Sequence, residues 1–165
     1  MHCKVHYEWL NGRWLPAADS GIGAATFVSW LGNDIQLSER AIDSYLAEIV
    51  RAAKGELRAV YPYDLTDLEP SDNPYYLGTG NSMSCWANSK FFYIECEYVD
   101  EWRVIMTLEQ VREALGHYRQ ITQRGWNDPQ TTPEPFEFEY IAEEVEATKL
   151  ANEAGLISSD SQEAG

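Results

Sequence analysis

Hydrophobic and polar positions near the amino end alternate in the way that a β-hairpin requires. Residues 5–10 and 13–15 contain most of the aromatic and aliphatic side chains of this region, and they flank Asn11-Gly12. This dipeptide tolerates positive φ at both central positions of a type I′ turn, so we predict a hairpin here. Pro16 either ends the second strand or places it at a sheet edge.

The next apolar run, residues 26–31, predicts a further strand that is closed by Gly32-Asn33-Asp34. Residues 61–80 follow later as a predicted long loop, which contains three prolines, four tyrosines and four acidic side chains. Loops of this length are uncommon in compact domains and are often functional.

Two helices have clear start signals. Ser38 is a candidate N-cap, and apolar side chains follow with helical spacing from Ile42 to Ala53, after which Gly55 suits the C′ position. The second helix begins with a capping box of Thr107 and Gln110, and we expect Met106 and Val111 to form its hydrophobic staple. Its buried face comprises Leu108, Val111, Leu115 and Tyr118, and Gly125 is a possible end.

Residues 82–87 and 90–98 predict a second hairpin around Asn88-Ser89. The alternation in its second strand places Phe92, Ile94, Cys96 and Tyr98 on one face, as the better core candidates. Phe91, Tyr93, Glu95 and Glu97 are then predicted to form an aromatic and acidic outer face.

The carboxyl-terminal part is predicted to form a strand at residues 136–140. An acidic helix then runs through Ile141, Val145 and Lys149 to Gly155, and we expect fraying from Ile157 onward. These elements predict an α+β fold, with a mainly antiparallel sheet, two packed helices and an acidic C-terminal extension. We place the α+β domain at residues 1–125 and the extension at residues 126–165.

Charge narrows the possible functions. The 165 residues carry 27 acidic and 12 basic side chains, for a net charge of −15. Ten of these acidic groups and one basic group lie in residues 126–165, so the extension is the more acidic part. Like charges repel, so we expect no direct binding of nucleic acid or of an anionic membrane. The three cysteines and the absence of an apolar leader at the start favour a cytoplasmic protein.

Metal binding and cysteine catalysis have weak support in the sequence. His2, Cys3 and His6 are interpreted as ordinary strand side chains, because a strand places Cys3 opposite the two histidines. Cys85 or Cys96 with His117 would be the candidate nucleophile and base outside the amino end. We expect both of these cysteines to be small buried side chains instead.

Other catalytic patterns are equally weak. The glycines of 21–23 and of 78–80 lack the third glycine of a dinucleotide site and are interpreted as turn residues. The carboxylate pairs Glu95 with Glu97 and Glu143 with Glu144 are interpreted as solvated, since a chain this acidic forms such pairs freely. We therefore predict no enzymatic activity, no metal ion and no cofactor.

Acidic and aromatic residues are interleaved in residues 61–76, 91–102 and 134–146. Tyrosine and tryptophan supply contact area in interfaces, and surrounding carboxylates attract a basic partner. We predict that the partner-binding residues are Asp64, Asp67, Glu69, Asp72, Tyr75, Tyr76, Glu95, Glu97 and Trp102. In the alternative interpretation the rings belong to the core and the acids only maintain solubility.

The order of these features resembles the small acidic immunity proteins of bacterial toxin systems. The resemblance covers residues 1–125 and consists of the hairpin 7–14, the helix that starts at residues 37–40, the strands 80–86 and 91–98, and the helix 107–119. It implies a cytoplasmic protein that blocks a cognate toxin by occluding a basic active site, and it assigns no individual functional residue.

Three other functions remain open from the sequence. The protein could be a DNA mimic or another acidic regulator of a nucleic-acid-handling protein, with the same electrostatics and a different partner. It could be a structural or assembly subunit whose rings form a homo-oligomer interface. It could also be an enzyme with an unrecognised site, although the sequence supplies only three histidines.

Overall fold

A computed structural model describes residues 1–19, 21–57, 73–124 and 126–158. Within these ranges the chain forms four α-helices and two antiparallel sheets, which confirms the predicted α+β class. The strands are β1 (His2–Leu10), β2 (Arg13–Ala18), β3 (Tyr76–Thr79), β4 (Met83–Ala87), β5 (Phe91–Cys96), β6 (Arg103–Thr107), β7 (Phe136–Glu139) and β8 (Ala142–Glu143). The helices are α1 (Ile22–Ser29), which continues as a π-helical segment (Trp30–Ile35), α2 (Glu39–Ala53), α3 (Leu108–Arg124) and α4 (Glu144–Glu153).

The smaller sheet has the strand order β2-β1-β7. Asn11 and Gly12 have φ values of 52° and 79°, so the predicted hairpin turn is confirmed. Strand β2 continues through Pro16 at the edge of the sheet, which is the second of the two predicted outcomes for this proline. Strand β7 pairs with the other side of β1, with Cys3 opposite Phe138, and so joins residues 136–139 to the amino end.

The larger sheet has the strand order β3-β4-β5-β6-β8. Its β4–β5 hairpin confirms the prediction for residues 82–98. Strand β3 lies inside the segment that was predicted to be a loop, and that part of the prediction was wrong. The strand forms because Tyr76 and Thr79 pair with Trp86 and Ser84, a partnership that a local sequence pattern does not reveal.

Residues 26–31 are helical, so the predicted strand there was wrong. They form the end of α1 and the start of the π-helical segment, which also includes Gly32, Asn33 and Asp34. The Phe27 and Phe138 rings stack at 3.9 Å, and the Trp30 and Phe92 rings are 5.4 Å apart. A short run that is apolar on every side fits a buried helix as well as a buried strand, because periodicity does not separate them.

Helix α2 matches most of its prediction. The Ser38 hydroxyl accepts a hydrogen bond of 3.1 Å from the Ala41 N–H, and Gly55 follows the helix with a φ of 75°. Ile42 and Ile49 are buried, but Val50 is 51% exposed, and Ala52 rather than Ala53 faces the core. The packed face is therefore narrower than the predicted apolar stripe.

The capping box of α3 is confirmed in both directions. The Gln110 N–H donates to the Thr107 hydroxyl at 3.1 Å, and the Thr107 N–H donates to the Gln110 side chain at 2.9 Å. The predicted face of Leu108, Val111, Leu115 and Tyr118 is buried, as is Met106. The predicted end at Gly125 lies outside the described residues.

The larger sheet is covered on both faces. Phe92, Ile94 and Cys96 belong to the main core, as predicted. The prediction was wrong for Tyr98, which follows the end of β5 and is 76% exposed. The opposite face was predicted to be an aromatic and acidic exterior, and this was wrong for Tyr93 and Phe91. Tyr93 is fully buried in a second cluster with Ile105, Ala147, Ala151 and Leu156, and Phe91 packs against that cluster. Helix α4 creates the second cluster by packing across β6.

The carboxyl-terminal elements differ from their prediction in two details. The helix begins at Glu144 and not at Ile141, because Ala142 and Glu143 pair with β6. Its buried side chains are Ala147, Thr148 and Ala151, whereas Val145 is 81% exposed. Ile157 is buried rather than frayed, and residues 159–165 lie outside the described residues. Among the described residues, no helix combines the length and apolar composition needed to cross a membrane.

The prediction of turn residues was wrong for Gly23 and for Gly78, which lies within β3. Gly21 precedes α1 with a φ of 94°, but Gly23 lies inside α1. A Cβ at Gly23 would lie 2.7 Å from the Tyr140 ring and 2.9 Å from the Glu143 Cβ. Glycine is therefore required there by the close approach of α1 to the segment between β7 and α4.

We expect Thr107→Ala to lower the free energy of unfolding by about 1 kcal/mol, because it removes the acceptor for the Gln110 N–H at the start of α3. Urea denaturation followed by circular dichroism measures this change. Thr107→Ser is the matched control, since it keeps the hydroxyl and should retain most of the stability. Equal stability of the alanine variant and the wild type would contradict the capping role.

We expect Gly23→Ala and Gly116→Ala to change stability in opposite directions. A methyl group at Gly23 overpacks the contact with Tyr140, at a cost of about 1–3 kcal/mol that exceeds the gain in helix propensity. Gly116 lies exposed in α3, and no atom lies within 4 Å of the position that an alanine methyl group would take, so alanine there should stabilise the protein by about 1 kcal/mol. Thermal unfolding of both variants tests the pair, and a stabilising Gly23→Ala would refute the close packing.

Candidate partner-binding surface

A row of polar side chains crosses the second face of the larger sheet. The strand register aligns Thr79 with Ser84, Ser84 with Glu95, and Glu95 with Arg103. The Thr79 and Ser84 hydroxyls are 2.7 Å apart, and the Ser84 hydroxyl donates to the Glu97 carboxylate at 3.2 Å. Because every member has a partner in the row, the two carboxylates are held in place on the sheet.

Arg103 lies at the end of this row that α4 covers, and it contacts several of the polar groups there. Its guanidinium forms an ion pair with Glu95 and donates to the Thr148 hydroxyl of α4 at 3.0 Å. The Tyr93 hydroxyl donates to Glu95 at 3.1 Å. Burial, followed by the charge of Glu95, raises the pKa of Tyr93, so this hydroxyl remains a donor at neutral pH.

An aromatic row runs beside the polar row. The Tyr76 and Trp86 rings are 5.3 Å apart, and the Trp86 and Tyr93 rings are 5.6 Å apart. Helix α4 and the residues after it bury Tyr93 but leave Tyr76 and Trp86 only half-buried. The aromatic row therefore passes from the second core cluster to the surface.

Two grooves lie on this face. We call the first the tryptophan groove; its volume is about 450 Å³, and its lining includes Tyr76, Ser84, Trp86, Glu95, Glu97 and Ile157. The second, the α4 groove, has a volume of about 570 Å³ and is lined in part by Asp100, Glu101, Arg103, Glu144, Val145 and Lys149. The Glu95–Arg103 ion pair joins them, since each groove is lined by one of its members.

The two grooves together define what we call the acidic face. It presents five carboxylates, from Glu95, Glu97, Asp100, Glu101 and Glu144, against the two basic side chains of Arg103 and Lys149. Tyr98 lies in the β5–β6 turn between these carboxylates and is 76% exposed. The acidic face therefore combines negative charge with exposed side chains that can make apolar contacts.

The structure brings some of the predicted partner-binding residues together. Tyr76, Glu95 and Glu97 line the tryptophan groove. Tyr75 instead packs against the second core cluster, and Trp102 packs against the main core. Asp64, Asp67, Glu69 and Asp72 lie outside the described residues.

Sequence reasoning missed several residues of the acidic face, among them Ser84, Trp86, Arg103 and Glu144. The register of the β4–β5 hairpin would have placed Ser84 and Trp86 on the same face as Glu95 and Tyr93, because opposite residues share a face. No strand register could have placed Glu144 on the acidic face, because its position depends on how α4 packs against the sheet.

The cysteines are poorly suited to nucleophilic chemistry. All three are free and buried. Burial, and to a lesser extent the charge of Glu137, raises the pKa of Cys3 to about 11. Burial raises the pKa of Cys85 well above its usual value. The His117 ring stacks on Phe136 at 5.0 Å. A thiol with a raised pKa supplies little thiolate at neutral pH, so this arrangement does not favour cysteine catalysis.

In the ranges that the structure describes, no group of three or more histidine, cysteine or acidic side chains is placed to hold a metal ion. His6 lies 3.4 Å from both Glu8 and Asp19, on the outer side of β1. No protein-family model, curated protein or solved structure matches the chain. The geometry and charge of the acidic face are therefore the features of this protein that bear on its function.

We expect the native protein to resist labelling by a thiol reagent such as DTNB at pH 8, because its cysteines are buried and the thiols of Cys3 and Cys85 have raised pKa values. Absorbance should report fewer than one thiol per chain within minutes, and three after unfolding in guanidinium. Fast labelling of one cysteine in the native protein would identify an accessible thiolate and would support the hypothesis of a catalytic cysteine.

Proposed function

We propose that this protein is a non-catalytic binding protein that neutralises a cognate toxin by docking its acidic face onto a basic active site. The supporting observation is the grouping of five carboxylates with the exposed Tyr98 and Val145 on one side of the larger sheet. We further propose that the complex forms in the cytoplasm, where an immunity protein would protect its own cell.

Charge supports a basic partner. The net charge of −15 attracts a positively charged protein over a distance of about one Debye length, roughly 8–10 Å at physiological salt. Such attraction raises the association rate and orients the two surfaces before contact. A toxin that acts on nucleic acid needs a positive cleft, and carboxylates can occupy that cleft in place of phosphates.

Apolar contacts would supply the slow dissociation that inhibition requires. Interface affinity is concentrated in a few buried side chains, among which tyrosine is enriched. Tyr98 has the required exposure and lies between Glu97 and Asp100, while Val145 lies beside the α4 groove. Both side chains would become buried when a partner covers the acidic face.

Only a few of the described aromatic side chains are placed to contact a partner. Most of the aromatic side chains in the described ranges belong to the two core clusters, as the alternative interpretation of the sequence expected. The large number of tyrosines and tryptophans therefore does not support an interface by itself. What supports it is the smaller set formed by Tyr76, Trp86 and Tyr98 on the acidic face.

We expect the triple charge reversal Glu97→Lys, Asp100→Lys and Glu101→Lys to weaken capture of the partner by at least tenfold and to reduce the dependence of binding on salt, because it removes three of the five carboxylates. The assay is affinity capture from the lysate of the source cell, mass spectrometry and titration of the recovered partner. The control triple variant, Glu113→Lys, Glu137→Lys and Glu139→Lys, makes the same charge change near α3 and β7 and should bind normally.

The captured protein must also behave as a toxin. Its expression alone should stop bacterial growth, and co-expression with the wild-type chain should restore it, whereas the acidic-face variant should not. Equal binding by the two triple variants would refute the assignment of the surface. A captured host protein that handles nucleic acid and does not impair growth would refute the toxin and favour the DNA-mimic alternative.

A further inference from the structure

The tryptophan groove has the chemistry of a site for one cationic side chain. Its lining includes the half-buried rings of Tyr76 and Trp86 and the carboxylates of Glu95 and Glu97. Aromatic faces attract cations, and carboxylates pair with them. No basic side chain is found among the described residues that line this groove. Within the described part of the chain, Arg103 neutralises Glu95 from the neighbouring α4 groove, whereas Glu97 lies in no ion pair.

The carboxylates of the groove are partly shielded from water. The Glu95 side chain is 25% exposed, and its carboxylate accepts from Tyr93. Glu97 is more exposed, and the Ser84 hydroxyl fixes its orientation through the 3.2 Å hydrogen bond. Partial burial lowers the local dielectric constant, so a cation is held more strongly here than on an open surface.

The chain itself shows how this face holds a guanidinium. Arg103 approaches Glu95 from the side of the α4 groove, where Tyr93 and Thr148 also contact it. The tryptophan groove lies on the other side of Glu95 and offers the same kinds of group, namely a carboxylate, a hydroxyl and an aromatic ring. Its volume of about 450 Å³ lies within the range of roughly 300–1,000 Å³ that is typical of ligand sites, so one long side chain fits.

We infer that the tryptophan groove receives an arginine side chain of the partner, with the guanidinium beside Glu95 and Glu97 and its plane against the Trp86 ring. Arginine is favoured over lysine because its planar group stacks on rings and pairs with carboxylates through two parallel hydrogen bonds. This inference rests on the proposed function, since it names the side chain through which the basic partner is recognised.

The test is a ¹H–¹⁵N NMR titration of the full chain with the amide of N-acetyl-arginine. The uncharged citrulline analogue and the lysine analogue are the comparison probes. We expect saturable shifts of the Trp86 indole N–H and of the Ser84 and Glu95 amides with arginine. Citrulline should bind at least tenfold more weakly, because it keeps the shape and lacks the charge.

Two variants localise the effect. Glu97→Gln should weaken arginine binding several-fold while the spectrum remains that of a folded protein, and Glu113→Gln on α3 should leave it unchanged. Trp86→Leu should weaken arginine binding, because it removes the ring on which the guanidinium stacks. If the Trp86→Leu variant does not fold, the Glu97→Gln variant still tests the inference. Shifts that map outside the groove, or equal binding of citrulline, would overturn the inference, and equal binding of lysine would overturn the choice of arginine.

The outcomes also separate this inference from the proposed function. If arginine fails to bind the groove but charge reversal of the acidic face abolishes toxin inhibition, the inference fails and the proposed function stands. If arginine binds the groove but no basic toxin is inhibited, the proposed function fails and the groove keeps its assigned chemistry.

Discussion

The burial of strand β5 on both faces is the constraint on which the rest of the structure depends. Phe92 and Ile94 point into the main core, while Tyr93 between them is fully buried in the second cluster. A strand with two buried faces needs a layer on each side. The helices α1, α2 and α3 and the smaller sheet contribute the first layer, and α4 with Leu156 and Ile157 supplies the second. The acidic carboxyl-terminal elements are thus part of the core.

The candidate site lies where α4 and the residues after it stop covering the larger sheet. Helix α4 is short and packs through small side chains, Ala147 and Ala151, so it covers Tyr93 and Ile105 but leaves Tyr76 and Trp86 only half-buried. The polar and aromatic rows therefore emerge at the surface beside Ile157. The carboxylates at this boundary are neither fully buried nor fully solvated, which gives them more influence on a bound cation than surface carboxylates have.

Arg103 pairs with the partly buried carboxylate of Glu95 at the edge of the second layer. Its guanidinium neutralises Glu95 and also contacts Tyr93 and Thr148, so one side chain ties β5, β6 and α4 together. Its Nε also donates to the Asp100 carbonyl at 2.8 Å, which fixes the β5–β6 turn that carries Tyr98. The hydrogen bonds and ion pair of Arg103 therefore both hold α4 against the sheet and position the exposed turn of the acidic face.

The sequence by itself determined the elements whose signals are local. The Asn11-Gly12 turn, the Ser38 cap and the Thr107–Gln110 capping box each depend on contacts between near neighbours in the chain. The alternation of residues 136–139 is also a local pattern, although the strand itself pairs with the distant β1. Tertiary structure decided the rest. Residues 26–31 are helical and pack against the rings of residues distant in sequence, such as Phe138, which stacks on Phe27. Tertiary structure also buried Tyr93, formed β3 and assembled the tryptophan groove, because these depend on packing and pairing between elements that are distant in sequence.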